Sequence, residues 1–254
     1  MKLTFLGTGT SQGVPVIACD CDVCRSPDPR DKRLRTSVMV SQGDQNVVID
    51  TGPDFRQQML REEVRHLEGV VFTHPHKDHI AGMDDIRSFN FRQRRDMDVY
   101  ANELTTKALH REFYYVFETE KYPGVPAVEL HSIDEDTPFE VGGMTFQPVP
   151  VLHYKMPVLG FRIGDLAYIT DANYIPPKSM ARLRGLKVLV LNALRRKKHL
   201  SHFTLDEALE IVAELQPERA YFTHISHLMG SHADTARDLP EHVEIAFDGL
   251  QVHL

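Results

Sequence analysis

Tryptophan is absent from the 254 residues, and cysteine occurs only three times, at Cys19, Cys21 and Cys24. An odd number of cysteines packed into one short stretch is poor material for a disulfide framework, so metal binding is the better reading of them. No apolar run approaches the ~18 residues of a membrane-spanning helix, and no membrane partner is expected. The start, Met1-Lys2-Leu3-Thr4-Phe5-Leu6 running directly into Gly7 and Thr8, is too short for the apolar core of a signal peptide. Cytoplasmic localisation follows as the expectation. A basic excess is also missing: 29 Lys and Arg stand against 36 Asp and Glu, a formal net charge of −7. That is the wrong sign for a surface built to attract nucleic acid. Repeats, low-complexity tracts and linkers are lacking as well, and the length suits one domain over residues 1–254 with a sizeable core.

What is present is an ordered succession of apolar segments. Strand patterns cover 2–6, 36–40, 46–49, 69–73, 98–101, 128–133, 144–151, 158–163, 166–170, 187–191, 220–223, 243–247 and 251–253. Helical spacing covers 55–66, 80–91, 104–117, 176–183 and 204–215, the last opening on the capping-box pattern Thr204-x-x-Glu207. A run of strands followed by helix, strand and helix occurs in each half. That order predicts an α/β (α+β) chain with two sheets face to face and helices outside, a four-layer αββα sandwich.

The chemistry is concentrated where one apolar run ends: Val70-Val71-Phe72-Thr73-His74-Pro75-His76-Lys77-Asp78-His79. Imidazole and carboxylate together are ligands for zinc, manganese or iron(II) rather than calcium or magnesium. Other predicted strands also end on ligand-type residues, at His153, Asp171 and His224. Seven such groups suit two metal ions sharing one carboxylate. The segment Cys19-x-Cys21-x-x-Cys24 makes a Cys-rich metal loop at about 19–27, and soft thiolate selects zinc there. The Gly-rich turn Gly7–Pro15 lacks the Lys-Ser/Thr ending of a phosphate-binding loop. The basic run Arg195-Arg196-Lys197-Lys198 reads either as phosphate contacts or as a solvated loop.

With the His-x-His-x-Asp-His motif and the flanking strand-end residues, the chain resembles the metallo-β-lactamase superfamily, from Leu6-Gly7-Thr8-Gly9-Thr10 to Phe247-Asp248-Gly249. The resemblance implies that His74, His76 and His153 hold one metal, that Asp78, His79 and His224 hold a second, and that Asp171 bridges them. It implies two divalent ions, Zn²⁺ or Mn²⁺, with a bridging hydroxide as nucleophile. Cys19, Cys21, Cys24 and, by the same resemblance, His227 would hold one structural Zn²⁺. The Cys-rich loop with His227, the segment Ser201-His202-Phe203-Thr204 and the start Leu6-Gly7-Thr8-Gly9-Thr10-Ser11-x-Gly13-Val14-Pro15 together narrow the likeness to the phosphoribosyl 1,2-cyclic phosphate phosphodiesterases and their relatives. There His202, protonated, and Asp78 would be catalytic, acting on a small, cyclic-ribose type phosphodiester. The bland alternative for His202 is a helix-capping residue. The alternatives for the whole chain are a nucleic-acid phosphodiesterase related to the tRNA 3′-processing endonucleases, a lactone or other ester hydrolase, and a zinc-binding module without activity. Nucleic acid is not the expected partner, and a homodimer is a common outcome for this architecture.

Overall fold

The computed structural model describes residues 1–120 and 122–254. One sheet is built from β1 (Lys2–Gly7), β2 (Ser37–Gln42), β3 (Gln45–Ile49), β4 (Gly69–Val71), β5 (Met97–Ala101) and β6 (Val128–Ser132). A second contains β7 (Phe139–Val141), β8 (Met144–His153), β9 (Met156–Ile163), β10 (Leu166–Ile169), β11 (Val188–Asn192), β12 (Arg219–Thr223) and β13 (Val243–Ile245). The last strand, β14 (Gln251–His253), returns to pair with β1 at the edge of the first sheet. The strand orders are β14-β1-β2-β3-β4-β5-β6 and β13-β12-β11-β10-β9-β8-β7. Both sheets are mixed: β3 to β6 run parallel, as do β10 to β13, while the hairpins are antiparallel.

Alternation along the strands explains the layering. Leu3, Phe5, Val38, Val40, Val47 and Ile49 share a core with Phe146, Phe161, Tyr168, Val188, Val190 and Tyr221 of the other sheet. Their in-between neighbours Leu6, Met39 and Val48 instead face outward, onto the helices Phe55–Arg61, Arg87–Gln93 and Glu103–Glu112. On the far side Leu189, Leu191, Ala220 and Phe222 pack under the helices Pro177–Arg182 and Leu205–Leu215. Strands covered on both faces carry near-continuous apolar runs, as in Val38-Met39-Val40, Val47-Val48-Ile49 and Val188–Leu191. The expected four-layer αββα sandwich is the observed one.

Local differences have local causes. The helix expected over 55–66 stops at Arg61, and Glu63 turns left-handed with φ 51°. The segment 80–91 is three short pieces, Lys77–Ile80, Met83–Ile86 and Arg87–Gln93, and the first two are separated where Thr51 N donates to His79 O and Gly82 N donates to Thr51 O, each at 2.8 Å. The helix over 104–117 breaks at Phe113, which buries its ring beside Val116 in the outer core. Strand β7, three residues long, has no sequence signal beyond the Gly142-Gly143 turn that joins it to β8.

Candidate metal centre

The loops leaving the C-terminal ends of β3, β4, β10 and β12 meet at one edge of the sandwich. Three of their residues stand in the left-handed region: Asp50 (φ 68°), Asp171 (φ 52°) and His224 (φ 57°). Non-glycine residues are uncommon there and cluster at functional sites when surrounding structure holds them. Each turns a side chain back into the same pocket.

Asp171 is the centre of that pocket. Its Oδ1 lies 3.4 Å from His79 Nε2 and 3.3 Å from His224 Nε2, while its Oδ2 lies 3.8 Å from His74 Nε2. Asp78 Oδ2 stands 3.2 Å from His79 Nε2 and 3.8 Å from His224 Nε2. Donor atoms of Asp78, His79, Asp171 and His224 all fall within 4.8 Å of one another, as do those of His74, His76 and Asp171. His153 groups with Asp171 and His202, its ring 5.1 Å from His76 and 5.9 Å from His74. Nε2 of His74 and His79, and both nitrogens of His224, are buried without a hydrogen-bond partner among the described residues. Buried nitrogens facing carboxylate oxygens at 3.2–3.8 Å, yet not hydrogen-bonded to them, fit a shared cation.

Hydrogen bonds on the far side of each ring fix which nitrogen is left for a metal. His79 Nδ1 donates to Asp50 Oδ2 at 2.7 Å, since a carboxylate only accepts. Thr73 Oγ1 donates to Asp50 at 2.8 Å and therefore accepts from His74 Nδ1 at 2.9 Å. His153 Nδ1 donates to the Ser201 carbonyl at 2.8 Å. In all three the Nε2 lone pair points the other way, an arrangement that orients metal-ligating histidines.

The protonation states are those of a cation site. Burial opposes ionisation of Asp171, but His224 and His79 outweigh it and hold the carboxyl well below its usual range. Burial likewise opposes Asp78, and His79 and His224 keep it ionised. His74 is pushed well below the ordinary imidazole value, chiefly by burial. At His79 burial is outweighed by Asp171, Asp78 and Asp50, which hold a proton where a metal would compete for it.

His202 lies against this group, its ring 4.5 Å from that of His153 and 4.7 Å from that of His224. The helix behind it is capped by Thr204, whose Oγ1 accepts from Glu207 N while Glu207 Oε2 accepts from Thr204 N. His202 takes no part in that cap, and its Nδ1 is buried with no partner among the described residues. Burial first, then the neighbouring His224, push His202 down to about 2, which favours the neutral ring. The basic run upstream is largely occupied: Arg195 hydrogen-bonds the carbonyls of Lys197 and Lys198, Arg196 pairs with Asp238, and Lys198 with Glu207.

Elsewhere, Sγ of Cys19, Cys21 and Cys24 lie 3.3, 3.3 and 3.5 Å from His227 Nδ1. Zinc bonds of about 2.3 Å to sulfur and about 2.0–2.1 Å to nitrogen, at tetrahedral angles, set a sulfur–nitrogen edge of about 3.5 Å. Three thiols around one imidazole at that spacing fit a closed four-ligand zinc site. The Cys21 thiol is lowered to about 6, first by the Cys24 backbone N–H, while burial raises Cys24 to about 11. His227 lies three residues beyond His224, and the chain between them is fastened to the Gly-rich turn, because Ile225 N donates to Thr8 O at 2.8 Å and Thr10 N to Ile225 O at 3.1 Å. The Gly-rich turn is thus a clamp on the loop that carries His224.

Asp50, Thr73 and the Ser201 carbonyl had no role assigned from sequence. The signal for Asp50 was a strand ending in Asp-Thr-Gly. The glycine matters too: a Cβ on Gly52 would stand 2.2 Å from the Asp78 carbonyl oxygen, so the backbone beside the motif can close only on glycine.

A family model described as a beta-lactamase superfamily domain matches residues 45–225. The chain belongs to the metallo-β-lactamase superfamily. Within that superfamily, the crystal structure of a diphosphatase from the PhnP family superposes with a TM-score of 0.93 at 44% identity, covering 100% of this chain and 97% of that one. An octanoyltransferase from Porphyromonas gingivalis is 36% identical over 253 residues, 99% of this chain but 51% of that protein, so the chain spans about half its length. A ribonuclease Z from Bradyrhizobium diazoefficiens is 27% identical over 163 residues, 63% of this chain and 48% of that protein.

Proposed function

We propose that this chain is a dinuclear metal-dependent hydrolase of small phosphodiesters or diphosphates. The observation that carries the reading is Asp171, with one oxygen toward His79 and His224 and the other toward His74. On this reading His74, His76, His153 and Asp171 hold one ion, and Asp78, His79, His224 and Asp171 the other, as Zn²⁺ or Mn²⁺. When bound, the ions supply Lewis acidity that offsets phosphate charge and acidifies water. The remaining work falls to side chains. Asp50, Thr73 and Ser201 keep three rings in the tautomer that leaves Nε2 free. Neutral His202 donates an N–H to a phosphate oxygen as charge develops there. Asp78, held ionised, accepts a proton and returns it to the leaving oxygen.

The diphosphatase relative supports phosphorus over a carbonyl as the target, and a lactonase has no use for His202. The ribonuclease Z match supports a second reading, a phosphodiester within RNA, against which the net charge of −7 weighs. The four-ligand thiolate cluster holds one structural zinc on this proposal, and a reducing, cytoplasmic setting keeps its thiols available. The test is His202→Ala with metal content measured alongside. Turnover of a diphosphate and of a cyclic ribose phosphate should fall by about 10²–10³ with metals retained. Undiminished turnover at full metal content would remove His202 from the mechanism. A panel adding a lactone and a precursor tRNA separates the alternatives.

A further inference from the structure

The hairpin between β8 and β9 is closed by two residues only, Tyr154 and Lys155, with His153 paired to Met156. Two-residue turns that need positive φ are normally filled by Gly, Asn or Asp. Here Tyr154 takes that position with φ 56°. Its N–H is fastened to Asn173 Oδ1 at 2.6 Å, two residues beyond Asp171, and the ring is 48% exposed. Lys155 Nζ stands 5.3 Å from the ring centroid. A bulky residue in a left-handed turn is strained, and exposed rings gain nothing from the core. The turn therefore gives up stability to present an aromatic face and an ammonium group.

What it presents them to is a cavity of about 410 Å³, lined by His76, His153, Tyr154, Lys155, Leu200 and Ser201 together with Met156. That is within the roughly 300–1,000 Å³ of small-ligand sites, and its floor includes two of the histidines assigned to the first metal. Leu200, 68% exposed, adds an apolar surface to the same space. An aromatic ring, a leucine and a lysine beside a phosphorus-directed centre match a ligand with a flat ring and an extra anionic group.

We propose that Tyr154 and Lys155 form the subsite for the part of the substrate not attacked, and that this part is nucleoside-like: a planar base stacked on Tyr154 and a second phosphate against Lys155. The substrate class is then a nucleoside diphosphate ester, in preference to a bare sugar phosphate. This rests on the hydrolase reading above and specifies the substrate within it.

The test uses the metal-loaded full chain with an adenosine diphosphate ester and a ring-free diester as substrates. Calorimetric binding of ADP is measured as an independent readout. Tyr154→Asn should raise KM for the adenosine substrate about 10-fold, the size of one base-on-aromatic stack, with kcat within about two-fold. KM for the ring-free diester should stay within about two-fold, and the melting temperature should hold or rise because asparagine tolerates the left-handed turn. Lys155→Met should weaken ADP binding more than adenosine monophosphate binding. A parallel rise in KM for both substrates, or a wild-type preference for the ring-free one, overturns the subsite. If no phosphoester is turned over, the hydrolase reading fails by itself; ADP affinity that is lost in Tyr154→Asn then upholds the subsite, and ADP affinity that is absent or unchanged overturns it.

Discussion

His79 and Asp50 are joined by a 2.7 Å hydrogen bond in which neither side chain has any solvent exposure. Asp50 also accepts from the backbone N–H and the hydroxyl of Thr73, each at 2.8 Å. One carboxylate thus sets the orientation of His79 directly and of His74 through Thr73. Outer-shell partners of this kind contribute about 10–100-fold to metal affinity. Asp50→Asn should weaken metal binding at the centre around Asp171 by that factor in a chelator competition titration, while metal bound at the thiolate cluster is unaffected. Equal affinity in wild type and variant would show that the two rings hold their own orientation.

Gly52 gives a second, purely steric prediction. A methyl group there would overlap the Asp78 carbonyl oxygen at 2.2 Å, and backbone cannot swing aside as a side chain can. Gly52→Ala should destabilise the fold by about 1–3 kcal/mol, read from chemical denaturation, and lower metal occupancy at Asp78 and His79. Unchanged stability would mean that the two loops separate freely.

For the thiolate cluster, Cys21→Ser removes one of the three thiols that stand 3.3–3.5 Å from His227 Nδ1. Purified protein should contain one zinc fewer. Its melting temperature should fall by at least about 4 °C, equivalent to about 2 kcal/mol in a chain of this size. Since Ile225 links the same loop to Thr8, weaker binding at His224 should accompany the loss. An unchanged melting point would leave the cluster without a structural role.

The fourth prediction concerns acid. His232 is buried, and its Nδ1 lies 3.4 Å from Arg33 Nη2; arginine only donates, so this nitrogen accepts and the ring is neutral. Burial first, then the charge of Arg33, lower His232 to about 4 from an ordinary 6.5. Between those values the unfolded chain binds a proton that the folded chain refuses. The stabilisation is therefore complete above pH 6.5 and declines as the pH falls toward 4. Urea midpoints at about pH 7, 6 and 5 should decline less steeply in His232→Gln than in wild type. Parallel slopes would assign the acid sensitivity to other groups.

Much of the fold was legible because a run of strands followed by helix, strand and helix recurs in each half, an order that two facing sheets with helices outside satisfy. The four strand-end positions carrying His74, His153, Asp171 and His224 could be read from where apolar runs stop. Asp50 could not be assigned a partner, because its bonds to Thr73 and His79 span 23 and 29 residues. The lowering of His202 was equally out of reach: it comes from burial and from the stacked His224, neither of which has a local sequence signature. Helix ends at Arg61 and Phe113 followed tertiary packing rather than periodicity.

The two residues at the tip of the β8–β9 hairpin belong to no core and close no backbone hydrogen bond that another pair could not close. His153, one position earlier, has no such latitude. On the subsite proposed above, choice of ligand and the power to cut it fall to adjacent but separable positions. Exchanging Tyr154 and Lys155 should then change ligand preference without rebuilding the centre.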